Sequence, residues 1–407
     1  MKSWLVLAAT LVLTSAVPSW GAVWNTTRSW TTADDVAFAQ FIENDFHEDI
    51  FSNPSSAFYG LKTDCADAVY AARIIFSARH GLPVKFTDPT KSGAYLTERM
   101  SRWDALPETE RLLRFIDYIA DLGSTYTLEL DSYPVDISLE AFRPGVIFLS
   151  PHLNEAEQRA TGFRGGHAEY VKSVTDTGFV EVISSTSPRL VRTLSVSKNP
   201  YMAPLLARGG YRALKKPQDF GQRNSELPFY SLKQFEIGGW APLKIITRKQ
   251  IFQWHEEIRR TLRTRVPSFD ERVEIVTDSI CSLLKTRAIL VYQGWSLVSK
   301  NDRRCLTGDL QDEFSTDSRD RRIRDAYLQV HDLYDWKKRT SPQEPIAGNV
   351  SDAQDKLAAC SIQHWPGRSI SAWEVYRRVM ANMLVSSADY APAVRWGERP
   401  ADRKDCR

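Results

Sequence analysis

Tyr59-Gly60-Leu61-Lys62-Thr63-Asp64-Cys65-Ala66-Asp67-Ala68-Val69-Tyr70 carries a fold signal and a chemical signal in the same few residues. Thr63 or Asp64 supplies a helix cap, and an apolar pattern then runs to His80, with Gly81 as its stop and Pro83 just beyond. The spacing predicts a helix from Asp64 to His80 with Cys65 in its first turn. At that position the partial positive charge of the helix end and its unpaired N–H groups favour the thiolate, the nucleophilic form of the side chain. The same amides can donate to the oxyanion of an acyl-transfer intermediate. Asp64 and Asp67 act against this, because a neighbouring carboxylate raises a thiol pKa. The competing role for Cys65 is that of a small buried hydrophobe.

A nucleophilic thiol needs a base, and the chain has seven histidines. His80 lies at the far end of the same helix, roughly 15 × 1.5 Å along its axis, and cannot reach. His47, His255, His331 and His364 fall among polar neighbours without catalytic spacing. His152 follows a strand and is conceivable. His167 is the best candidate: Gly165-Gly166-His167 opens a strand, and alternation puts His167, Glu169 and Val171 on one face. The two glycines permit close approach of another backbone or a substrate. Glu169 and Glu181 read as solvent-facing strand carboxylates.

Outward from this segment, Thr32 and Asp35 open a helical pattern that runs to roughly Ile50, and Pro107 starts another that reaches about Leu122. Residues 84–106 read as loop. From 124 the period changes to two, with strands expected at 127–130, 146–149, 167–174 and 178–184. Beyond Gly238-Gly239 the pattern becomes helical, over 248–264, 270–286, 318–338 and 371–386. The expected architecture is α+β: a domain over 30–245 with an insertion at about 84–140, then a helical region over 246–407.

Here the chain resembles a known family. Asp64-Cys65-Ala66-Asp67 and its apolar helix resemble the Asp-Cys-Ser-Gly helix start of the NlpC-type cell-wall cysteine peptidases, a branch of the papain-like fold. Pro144-Gly145-Val146-Ile147-Phe148 resembles that family's Pro-Gly-Asp strand, and Gly166-His167-Ala168-Glu169-Tyr170-Val171 its histidine strand. Ala66-Asp67 stands in place of Ser-Gly, and Val146 in place of Asp. The resemblance covers roughly 58–186 and implies a papain-like hydrolase domain. It implies that Cys65 attacks an amide carbonyl, that His167 is the base, and that Tyr59 assists the oxyanion. The residue that orients the histidine has no clean match. Ser185 or Glu181, on the following strand, is the expected occupant. The implied substrate is a peptidoglycan stem peptide or another peptide. A catalytically inactive envelope-binding protein of the same fold, and a thiol acyltransferase or transglutaminase-like enzyme, are the alternatives.

Composition narrows the remaining classes. Among 407 residues, 53 Lys and Arg face 50 Asp and Glu, a balance unlike the concentrated basic charge of nucleic-acid binders. Met1-Lys2, the apolar run Trp4–Val12 and small residues after it read as an export leader over 1–22, too short to span a bilayer. The expected destination is the periplasm or the extracellular side of a bacterial envelope. Disulfides persist there, so Cys281, Cys305, Cys360 and Cys406 are expected to form two, with three pairings open, and Cys65 to stay free. His47-Glu48-Asp49 and His255-Glu256-Glu257 lack the i, i+4 histidine pair of a zinc site, and neither a metal nor an organic cofactor is expected.

Overall fold

The computed structural model describes residues 22–161, 165–198, 208–237, 247–340 and 353–407. The expected leader lies, apart from Ala22, outside the described residues, as does Gly238-Gly239. The chain opens with α1 (Thr32–Gln40), extended by a π turn, and then α2 (Cys65–Arg79). A short hairpin, β1 (Lys85–Thr87) and β2 (Tyr95–Thr97), occupies the stretch expected as loop. Two helices follow, α3 (Glu108–Leu122) and α4 (Thr125–Leu130), and then β3 (Ser132–Pro134) and β4 (Ile147–His152). After α5 (Glu155–Thr161) come β5 (Gly165–Val174), β6 (Val180–Ser184), β7 (Ser195–Lys198) and β8 (Gly210–Leu214). The C-terminal part holds α6 (Arg248–Leu262), α7 (Phe269–Lys300), α8 (Asp309–Phe314), α9 (Asp317–Thr340) and α10 (Gln354–Ala359). It ends with the hairpin β9 (Ser361–Trp365) and β10 (Arg368–Ser371), then α11 (Ala372–Met380) and α12 (Pro392–Arg395). The molecule is α+β.

One antiparallel six-stranded sheet, in the order β3-β8-β4-β5-β6-β7, organises everything else. Its first face packs against α2, which is buried without a break from Cys65 to Ser77. A helix wrapped on all sides has no polar stripe to keep, which is why its apolar residues run all round instead of marking one face. Val69, Ile74, Ile75 and Phe76 are each at most 1% exposed, and such side chains contribute roughly 1.5–3 kcal/mol apiece. Ile147, Leu149, Ala168, Tyr170 and Ile183 complete this core from the sheet. Arg73, buried within α2, lays its guanidinium over the Trp30 ring at 3.5 Å.

Phe148, Val171, Val182 and Tyr211 point to the other face, where α6 covers them. Trp254 of α6 is fully buried, stacks on Tyr211 at 5.6 Å, and donates its indole N–H to the Gln234 carbonyl. The polar-rich sequence of α6 groups it with the C-terminal helices, but its apolar side is part of the sheet's own core. A further core joins α7, α9, α11 and the β9–β10 hairpin. The four C-terminal cysteines pair as Cys281–Cys360 and Cys305–Cys406, and Cys65 is free. Among the described residues no helix is long and apolar enough to cross a membrane.

The strand expected at 127–130 is helix α4. Ser124 and Thr127 form a reciprocal cap: Ser124 Oγ accepts from the Thr127 amide, and Thr127 Oγ1 from the Ser124 amide. That local cap overrides the Thr-Leu-Glu-Leu alternation.

Candidate active site

Asp64 caps α2. Its Oδ1 accepts from the Ala66 and Asp67 amides at 2.9 and 3.1 Å, and Asp67 in return accepts from the Asp64 amide at 2.8 Å. The approach to the helix is pinned to the end of β6. Thr63 exchanges backbone hydrogen bonds with Leu190, Thr63 Oγ1 donates to Ser185 Oγ at 3.1 Å, and Ser185 Oγ donates to the Thr63 carbonyl at 3.0 Å. These restraints fix Cys65 as the first helical residue. The cap consumes the two amides after Cys65 and leaves the Cys65 N–H as the first-turn donor for an incoming oxyanion.

The Cys65 side chain is 5% exposed, and its Sγ lies 3.9 Å from the Gly166 carbonyl, to which the thiol hydrogen points. Burial first, and the Asp64 carboxylate second, push the thiol pKa up to about 12. The helix end does not compensate, because the Asp64 carboxylate opposes its positive field; Asp67, raised to about 8 by burial and by Asp64, is largely neutral at pH 7. The thiol therefore rests protonated. A cavity of about 460 Å³ opens beside it. The start of α2 (Asp64, Cys65, Ala66), the start of α4 (Ser124, Thr125), His152, Gln158, Gly166 and Ser187 form its wall.

Strand β5 decides which histidine shares this space. Ala168 and Tyr170 belong to the core with α2, and Tyr170 Oη donates to the Val69 carbonyl at 2.9 Å. Alternation then turns His167 and Glu169 to the opposite face. There His167 Nε2 lies 2.8 Å from Arg322 Nη2 of α9 and 3.3 Å from Glu169 Oε2. A guanidinium only donates, so toward Arg322 the imidazole nitrogen accepts and the ring is neutral. Burial, and next the Arg322 charge, hold its pKa below the ordinary histidine value. Gly166 is the β5 residue on the cavity wall. It has φ +81°, and a Cβ built on it would meet only Thr125 Oγ1, at 3.9 Å.

Cys65 and His152 line one cavity. His167 forms a cluster with Glu169 and Arg322. Glu169 is 1% exposed, where a solvent-facing carboxylate was expected, because its cross-strand neighbour Phe148 packs under Trp254 of α6 and that helix covers this face. Ser185 secures the backbone before Cys65. Glu181 accepts from Ser173 Oγ at 3.0 Å. Tyr59 is 53% exposed and outside the cavity wall. Ser124, Thr125 and Gln158 carry no sequence signal for a site. They reach it through the cap of α4 and the short helix after β4. No family model matches this chain, and neither a curated protein nor a solved structure matches it.

Proposed function

We propose that this chain is an exported cysteine hydrolase that cleaves amide bonds, with Cys65 as nucleophile and His152 as general base. The observation that carries the reading is the shared cavity: a sulfur at a helix start and an imidazole at a strand end face one solvent-accessible space. Because the thiol rests protonated, attack is general-base assisted. His152 takes the thiol proton as Sγ bonds to the amide carbon, and the carbonyl oxygen, now negative, receives the Cys65 N–H. Collapse breaks the C–N bond, His152 passes its proton to the departing amine, and a thioester remains on Cys65. Water, deprotonated by the same imidazole, then releases the acid and restores the thiol. The Asp-Cys helix start and the Pro-Gly strand support a papain-like, NlpC-type lineage and a peptidoglycan stem peptide as substrate.

Turnover of purified peptidoglycan, followed by the appearance of new amino groups, tests this reading. Cys65→Ala and His152→Ala are each expected to lower the rate at least a hundredfold, while His167→Ala keeps it within about fivefold. Undiminished release by Cys65→Ala overturns the proposal. The second reading, a non-catalytic binding protein of the same architecture, draws on the protonated thiol and on the engagement of His167 with Arg322. It gains if the unmutated chain retains the sacculus on sedimentation and never releases product.

A further inference from the structure

A larger cavity, about 840 Å³, lies between the segment that follows β6 and helices α7, α8 and α9. Its walls are largely apolar, with Leu190, Leu194, Leu283, Leu290 and Phe314 among them. Its charged groups are unbalanced: Lys62, Arg192, Arg319 and Arg322 against Glu48 and Glu313. Two guanidiniums share Glu313. Arg192 Nη1 lies 2.7 Å from Glu313 Oε2 and Arg319 Nη2 3.7 Å from the same oxygen. Arg192 is only 8% exposed along its side chain, its Nη2 donates to the Pro188 carbonyl, and its Nε is buried without a hydrogen-bond partner. A buried cation with a donor to spare, one carboxylate divided between two arginines, and apolar walls together suit an amphipathic anion.

The groove and the Cys65 cavity are lined by consecutive residues. Ser184, Ser185 and Thr186 line the groove, and Ser187, the next residue, lines the Cys65 cavity. Arg192 is close enough to feel the charge of Asp64.

We propose that this groove seats a peptide that carries a carboxylate, with the carboxylate beside Arg192 and Arg319 and aliphatic side chains against the apolar wall. On the hydrolase reading, on which this last step rests, the bound peptide continues past Ser187 and presents its amide to Cys65. The C-terminal helices, on this view, form one bank of the substrate site and select acidic peptides.

The test uses the full chain carrying Cys65→Ala, which binds without turnover. The probes are dansyl-Ala-Glu-Leu-Ala with both carboxylates free and dansyl-Ala-Gln-Leu-Ala-amide, compared by fluorescence anisotropy. The acidic peptide is expected to bind at least tenfold more tightly, with the gap narrowing as salt rises from 50 to 500 mM. Ile289 stands on the groove wall and is 56% exposed, so charges are tolerated there. Ile289→Glu is expected to weaken the acidic peptide about tenfold, and Ile289→Lys to strengthen it, opposite signs that misfolding does not produce. Equal affinity for the two peptides, failure of both to bind, or the same response to both substitutions overturns the proposal. Turnover of the acidic peptide by the unmutated chain is read separately. A preference without turnover removes the hydrolase reading and leaves the groove. Turnover without a preference does the reverse.

Discussion

Alkylation of the single free cysteine, followed against pH, measures the state of the thiol directly. An ordinary cysteine has a pKa near 8.5 and is a few per cent thiolate at pH 7. With a pKa of about 12, Cys65 is thiolate in only about one molecule in 10⁵ at that pH, roughly 3,000-fold less. Iodoacetamide reacts with the thiolate, so log rate should climb one unit per pH unit from 6 to 10, with no plateau. The slope rather than the absolute rate is diagnostic, since 5% exposure slows access at every pH. Asp64→Asn then isolates the electrostatic part. Asparagine caps a helix as well as aspartate does, so the acceptor for Ala66 and Asp67 survives while one negative charge beside the sulfur goes. About 1.4 kcal/mol of relief, a modest value for one charge at short range in a partly shielded site, is a tenfold faster reaction between pH 9 and 10, where Asp67, with its pKa of about 8, is ionised in both chains. Mass spectrometry of the modified intact protein gives the rate. Fast alkylation that stays level between pH 5 and 7 refutes the reasoning. It would mean that the free protein already holds a thiolate–imidazolium pair.

Three further outcomes follow from the same contacts. His167→Ala should cost about 1–3 kcal/mol in urea unfolding, the usual loss for a severed buried polar contact, because it removes the acceptor from Arg322. Unchanged stability would show that the cluster does not hold α9 to the sheet. The buried thiol keeps its proton in the folded chain up to about pH 12, whereas the unfolded chain releases it near 8.5. Folding stability therefore declines as pH rises above 8.5, and by pH 10 the Cys65 share of that loss is about 2 kcal/mol. Cys65→Ala should lack this share when the two chains are compared by denaturant titration at pH 8 and pH 10. Gly178, at φ +77°, turns the β5–β6 hairpin against α6, and a Cβ there would lie 2.3 Å from the Arg259 carbonyl oxygen. Gly178→Ala should cost about 2 kcal/mol or more, and a smaller loss on thermal unfolding would mean that α6 shifts freely.

Local signals in the sequence were the ones that held. Asp64, Cys65 and Gly81 delimit α2 within a residue or two of its observed ends, because caps and stops act over one turn. The α+β class follows from period alone, and so do β4, β5 and β6, whereas β3, β7 and β8 of the same sheet were not expected. Where two local rules competed, as at Ser124–Leu130, the hydrogen-bonded cap prevailed over alternation of side chains. The stretch 84–106 shows a different limit: a three-residue strand is too short to establish any period, so the β1–β2 hairpin leaves no mark. Cysteine arithmetic gave two bridges and a free Cys65. The pairing itself spans 79 and 101 residues and depends on where α7 ends and where the C-terminus returns.

The histidine question turned on parity, which a strand reveals only when its buried side is known. Counted from Gly165-Gly166, His167 has the freedom expected of a site residue. Counted from Ala168 and Tyr170, the residues that touch α2, it belongs to the far face. What closes the far face is α6, and Arg322, 155 residues from His167 on α9, adds the charge that engages the imidazole. No local pattern links that arginine to Glu169, so the carboxylate looked solvated until the C-terminal helices were in place. The same helices enclose the larger groove. The sheet domain alone has its thiol and its cap, and its neighbour supplies the charge that engages one histidine and one wall of the larger groove. That division explains why residues 58–186 by themselves reveal the capped thiol and leave its surroundings unmarked.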